Sequence, residues 1–184
     1  FSKRGIVAAM LFIMLFRFSE ALLSKVSPLF LIDAPHNGGL GLAPQEYGLV
    51  QGTVGMIGVI IGSIIGGFAV SKGGLHKWLF PMVLAYSLPP VIYLALAYWL
   101  PDSLMLVSVS VFIEQCSTGF GLTAYMMFLI YYNRGEFRTS HYAIASALMT
   151  LSLMIPGLMA GSLEEALGYR RFFLLSLILI AVTW

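Results

Sequence analysis

Apolar residues run along this chain in long blocks broken by short polar connections. That pattern is neither the alternation of a half-buried strand nor the single stripe of a surface helix. Blocks of membrane-spanning length, about 20 residues for a hydrocarbon core of about 30 Å, cover roughly 5–32, 45–71, 78–100, 103–132, 140–163 and 169–184. They predict an all-α membrane protein, a bundle of six transmembrane helices. The sixth block is the shortest, reaching about 24 Å at 1.5 Å per residue. With Phe1 at one end and Trp184 inside an apolar run at the other, further sequence is expected on both sides.

Polar residues between the blocks set an orientation. Lys3 and Arg4 precede the first block, Lys72 and Lys77 separate the second from the third, and Arg134 and Arg138 separate the fourth from the fifth. By the positive-inside rule these places are cytoplasmic, and so is the N-terminus of the chain. The connections from Asp33 to Pro44 and around Pro101-Asp102 have no Lys or Arg, as expected outside. Arg170 and Arg171 are the exception, beside Glu164 and Glu165. Tyr98-Trp99, Trp78 and Tyr131-Tyr132 fall at block ends, where interfacial aromatics belong.

Composition narrows the class. The chain is 59% apolar and 10% charged with a net charge of +2, against about 25% charge in a typical soluble domain. Its mean hydropathy is +0.92. So few bases, scattered between apolar blocks, exclude a nucleic-acid footprint. Cys116 is the single cysteine, so no intrachain disulfide forms; it reads as a small buried residue. The opening Phe1-Ser2-Lys3-Arg4 lacks the layout of a cleaved signal peptide.

Gly58, Gly62 and Gly66 stand four residues apart in the second block, which predicts close approach of a neighbouring helix. No strand or Lys-Ser/Thr accompanies them, so they are not a phosphate loop. Pro81, Pro89, Pro90 and Pro156 predict kinks.

The connection Gly67-Phe-Ala-Val-Ser71-Lys72-Gly-Gly74-Leu-His-Lys77-Trp78 matches Gly161 to Phe172 in its glycines, polar residue, base and aromatic, at an offset of 94 residues. Half a chain of offset implies three helices repeated as three. Because three is odd, the second set enters from the opposite face, as in inverted-repeat transporters. The same offset carries Glu20 onto Glu114, and helical rise puts both near half-depth, where such folds place solute and ion sites.

A charge at that depth is expensive and by default faces a partner or a wet cavity. Arg17, Glu20, Ser24 and Ser27 share one stripe of the first helix; Glu114, Thr118, Gly121 and Tyr125 share a face of the fourth, with Gln115 beside them. A carboxyl held between desolvation and a nearby arginine is set to load and release a proton. The plainer alternatives are an i,i+3 ion pair of Arg17 with Glu20 and a Glu114 that only hydrogen-bonds helices together. Lys25 is expected to snorkel. His36 and His76 are loop residues, and His141 an interfacial one. No metal cluster, paired Cys, His-Glu-x-x-His or nucleophile elbow is present, so no enzyme and no cofactor is expected.

These residues resemble the AmpG-type muropeptide permeases and acetyl-CoA-transporter relatives of the major facilitator superfamily, over nearly the whole chain, as helices seven to twelve. Phe16-Arg17-Phe18-Ser19-Glu20-Ala21 is similar to the family's Tyr-Lys-Leu-Gly-Asp-Ala. Glu114-Gln115 with Gly119-Phe-Gly121 is similar to its Glu-Asn and Gly-Met-Gly segment, and Asn133 to Ala143 resembles a further loop. Gly67, Ser71, Lys72, Gly74 and Lys77 resemble a worn copy of the superfamily's cytoplasmic Gly-x3-Asp-Arg-x-Gly-Arg motif. Glu20 stands for Asp, Arg17 for Lys, Gln115 for Asn and His141 for Gln, so muropeptide specificity does not follow. The resemblance implies residues 1–184 are the C-terminal half of a twelve-helix transporter whose N-terminal six-helix half is the partner, in a bacterial inner membrane. It implies proton-coupled import of a small polar solute, with Arg17, Glu20, Ser24, Glu114, Gln115, Thr118 and Tyr125 as candidate solute or proton residues. A non-transporting receptor or scaffold with the same bundle, and an intramembrane enzyme on lipid-linked sugar, are the alternatives.

Overall fold

The computed structural model describes residues 6–132 and 138–182, and every regular element among them is helical. α1 spans Ile6–Ile32. A short α2, Pro44–Tyr47, runs through a π-helical segment, Gly48–Gly55, into α3, Met56–Gly73. α4 (Leu75–Tyr86) and α5 (Leu88–Trp99) follow, then α6 (Leu104–Tyr132) and α7 (Arg138–Val182). Three runs among the described residues, Pro44–Gly73, Leu75–Trp99 and Leu104–Met127, are long and apolar enough to cross a membrane.

Two breaks follow from local chemistry. The third block is not one kinked helix but two, because Pro89 and Pro90 lack the N–H groups that would continue the ladder onto Ala85 and Tyr86. Ser87 closes α4 instead, its N–H on the Leu84 carbonyl at 3.0 Å and its hydroxyl on that of Val83 at 3.2 Å. α7, 45 residues long, would measure about 67 Å if straight; it breaks at Gly168, at φ 71° and ψ 160°. Gly74, 94 residues earlier, takes φ 76° and ψ 153°. Backbone in this region is open to glycine almost alone, so the two matched connections share an unusual geometry as well as a sequence pattern.

Packing inverts the usual distribution. On α3 the isoleucines 57, 60, 61, 64 and 65 are exposed while Gly58, Gly62 and Gly66 are buried. A side chain at Gly62 would run into the backbone carbonyl of Cys116, and one at Gly119 into that of Val59. The backbones of α3 and α6 are therefore in direct contact, joined by Ser63 Oγ to the Gly119 carbonyl at 3.3 Å and Thr123 Oγ1 to the Ser63 carbonyl at 3.4 Å. Cys116, expected buried, is only half-buried. α1 packs on α7, α4 on α6, and α5 bridges to both α6 and α7.

The connections after α1 and α5 and the break in α7 meet at one end of the bundle. Leu40 and Leu42 return their N–H groups to the carbonyls of Phe30 and Leu31, at 2.8 and 2.9 Å, satisfying the last turn of α1. Tyr169 donates to Asp33 Oδ2 at 2.5 Å. Arg170 Nε caps α5 through the Ala97 carbonyl at 3.0 Å, its guanidinium 5.2 Å from the Tyr98 ring centre. Beneath lies a plug of buried rings: Phe30, Tyr93, Tyr169, Phe172 and Phe173.

Candidate functional site

Below that plug is a cavity of about 190 Å³. α1 contributes Glu20, Leu23, Ser24 and Ser27, and α6 contributes Glu114, Gln115 and Thr118. Gln51 enters from the π-helical segment, Tyr86 from the end of α4, Pro89 and Pro90 from the start of α5, and Ile180 from α7. Glu20 lies about 18 Å along α1 from Ile32, and Glu114 about 15 Å along α6 from Leu104. Both therefore sit at similar depth below the same end of the bundle.

Several of these polar groups are withdrawn from the surface. Glu114 is 7% exposed and its Oε2 is buried without a hydrogen bond of good geometry; Thr118, one turn on, and the Tyr93 hydroxyl from α5 are its polar neighbours, and it feels the Glu20 carboxyl across the cavity. The buried Gln51 Oε1 also lacks such a bond. The π-helical turns that carry Gln51 widen the helix by one residue per turn, a distortion often found at functional sites. Tyr86 reaches the cavity because position 121 is glycine: a side chain there would collide with the Tyr86 ring. Ser24 is exposed at the rim and donates to the Ala21 carbonyl at 3.1 Å.

The structure thus gathers Glu20, Ser24, Glu114, Gln115 and Thr118 around one space. Tyr125 is buried two turns further along α6 and does not line it. Arg17 lies in α1, but its side chain is outside the described residues, as are those of Ser140 and His141. Gln51, Tyr86 and Tyr93 were missed. Gln51 had a signal, an amide inside an apolar block; the two tyrosines look in sequence like any interfacial aromatic. Among the described residues no three His, Cys, Asp or Glu side chains group as metal ligands.

Comparison with known proteins bears on what such a cavity serves. No protein-family model matches the chain. The transporter AmpG 1 of Rickettsia felis is 25% identical over 174 residues, which is 95% of the chain. The anhydromuropeptide permease of Escherichia coli is 26% identical over 180 residues, 96% of the chain, and the transporter AmpG 4 of Rickettsia conorii is 25% identical over 179 residues, 97% of the chain. The chain is homologous to the AmpG-type permeases. These AmpG relatives carry the names of transporters or permeases, not of enzymes. The chain spans 38%, 35% and 42% of their respective lengths.

The positions that resemble the major facilitator loop motif lie away from the cavity. Ser71 returns its hydroxyl to the Phe68 carbonyl at 2.8 Å, and Lys72 Nζ sits 4.4 Å from the Phe68 ring centre. Gly74 makes the turn, Lys77 is exposed, and a side chain at Gly67 would meet open space. Lys25 is exposed with its stem along α7, where a side chain at Gly157 would come within 3.3 Å of its Cε, as a snorkelling residue requires.

Proposed function

We propose that this chain is one half of a secondary active transporter, a proton-coupled importer of a small polar solute such as a saccharide or sugar-peptide, working by alternating access. The observation that carries the reading is the pair Glu20 and Glu114: two carboxyls, 94 residues apart in sequence and at similar depth, around one cavity between helices. Two like carboxylates facing one low-dielectric space repel, and keeping both ionised there is costly. Taking a proton from one side of the membrane and releasing it to the other relieves that conflict, and solute movement is coupled to the exchange.

The arrangement expected is six spans as an inverted three-plus-three repeat, with its N-terminus cytoplasmic, in a bacterial inner membrane. The paired backbone geometry of Gly74 and Gly168 supports the repeat. Arg170, which breaks the positive-inside pattern, is engaged with the α5 carbonyl end and the Tyr98 ring, a local role that accounts for a base on the outer side. A cavity of about 190 Å³ is smaller than the roughly 300–1,000 Å³ of pockets that enclose drug-sized ligands. A facing six-helix half supplies the remaining wall, and Arg17 binds the solute or holds Glu20.

The test is uptake by the full-length polypeptide in proteoliposomes under an imposed pH gradient, with an anhydromuropeptide, the solute in the Escherichia coli relative's name, as first probe within a panel of saccharides. Glu20→Gln and Glu114→Gln are expected to abolish pH-driven accumulation while retaining part of the solute exchange. Unchanged proton-driven uptake in both variants refutes the coupling role.

A further inference from the structure

Tyr93 is the polar residue closest to Glu114 from α5, and nothing in its sequence context marks it. It sits one turn past Pro89-Pro90 and is 1% exposed. Its ring stacks on Phe173 with centres 5.6 Å apart and meets Phe30 edge-on at 6.2 Å. The ring is therefore clamped by the plug above the cavity, while its hydroxyl projects below, between Ser27 and Glu114. That oxygen is buried and makes no hydrogen bond of standard geometry, and the same holds for Glu114 Oε2. Two buried polar atoms side by side without a bond are rare in native interiors. Each of these two residues is among the polar neighbours of the other.

We propose that Tyr93 is a positioning residue for the Glu114 proton, a role that rests on the transporter reading above. When Glu114 is ionised the Tyr93 hydroxyl donates to it; when Glu114 takes a proton from cavity water, its O–H turns to the phenol oxygen or to the cavity and the tyrosine keeps its own proton. One proton moves between water and carboxyl, and no other bond changes. The clamp gives the mechanism its value: a hydroxyl fixed by ring packing needs no reordering at each cycle, whereas a hydroxyl on a free rotor does. The groups that face this pair are Glu20 and Ser27 from α1, Tyr47 from α2, Gln51 from the π-helical segment, Tyr86 from α4 and Thr118 from α6; α7 presents Ile180 to the cavity. Glu20 is the one carboxyl among these.

The test is pH-difference infrared spectroscopy on the reconstituted full-length protein, which needs no solute. The protonated Glu114 carboxyl is assigned as the C=O band lost in Glu114→Gln. In Tyr93→Phe, which keeps the ring stack, that band is expected to shift to higher wavenumber; Ser117→Ala, a neighbour whose hydroxyl bonds the Ile113 carbonyl at 2.8 Å, leaves it in place. Ring-labelled tyrosine in the unaltered protein provides a second readout, a tyrosine mode that changes with pH and disappears in Glu114→Gln. A Glu114 band unmoved by Tyr93→Phe, or a tyrosine mode indifferent to Glu114→Gln, overturns the proposal and leaves proton coupling standing. If no carboxyl band depends on Glu114, the coupling reading fails and Tyr93 loses its role with it.

Discussion

Gly62→Ala places the smallest possible side chain where α3 and α6 touch. A helical alanine is more favourable than glycine by about 0.5–1 kcal/mol, so an alanine with room around it stabilises. At Gly62 there is no room, since the new methyl would overlap the carbonyl oxygen, carbonyl carbon and Cα of Cys116, all backbone. The strain cannot be relieved by turning a side chain, so the helices must part by about 1 Å, enough to forfeit about a quarter to a half of each dispersion contact along the crossing. Between helices in lipid, where apolar surface gains little by leaving the acyl chains, those contacts are the main source of association. The long hydrogen bonds from Ser63 and Thr123 across the same crossing weaken as well. Overpacking of this kind costs about 1–3 kcal/mol. Gly67→Ala is the control, because a side chain there meets open space and only the helical gain applies. The helical gain is common to both variants, so they should differ by about 1–3 kcal/mol in reversible unfolding of the full-length protein from mixed micelles, with Gly62→Ala the weaker. Equal stability of the two would refute direct backbone contact between α3 and α6.

Two further outcomes follow from the bundle ends. Gly168→Ala and Gly74→Ala force an L side chain into backbone at φ 71° and 76°; each should lower unfolding free energy by about 1–3 kcal/mol, and thermal melts in detergent showing no loss at either position would contradict the matched turns. Glu164, in the connection before Gly168, titrates above the ordinary glutamate value because of partial burial, then the nearby Asp33 and Glu165 carboxylates. A raised acid is one whose ionisation opposes the fold. Its protonated form adds no penalty below the ordinary glutamate value, and stability is lost as pH rises from there through the raised value. Glu164→Gln should thus raise the melting temperature slightly at neutral pH and leave it unchanged in acid; a variant equal to the unaltered protein at both pH values would sink the repulsion. The group is partly exposed, so the gain is small and screened by salt.

Much of this was legible along the chain. Apolar blocks need only the chemistry of their own side chains, and the first, second and fourth blocks each match a helical run within a few residues: Ile6–Ile32, Pro44–Gly73 and Leu104–Tyr132. Glycine spacing announced the close crossing because one helix face repeats every three to four residues. The offset of 94 was visible as letters, and so were the two carboxylates, since a charge inside an apolar block is conspicuous whatever surrounds it. These are properties of segments, and a segment carries them before it folds.

Tertiary structure decided which faces meet. Glu20 and Glu114 could each have faced different neighbours; the crossing of α1, α5, α6 and α7 put them around one space, and Tyr125, on the same stripe as Glu114, was left out because the cavity closes two turns short of it. Gln51 turned inward through a π-helical distortion that no spacing rule encodes, and Tyr86 entered through the gap at Gly121 on another helix. The Tyr93 hydroxyl owes its place beside Glu114 to rings from α1 and α7. Contacts between distant segments depend on shape and volume on both sides at once, and a linear pattern holds only one side.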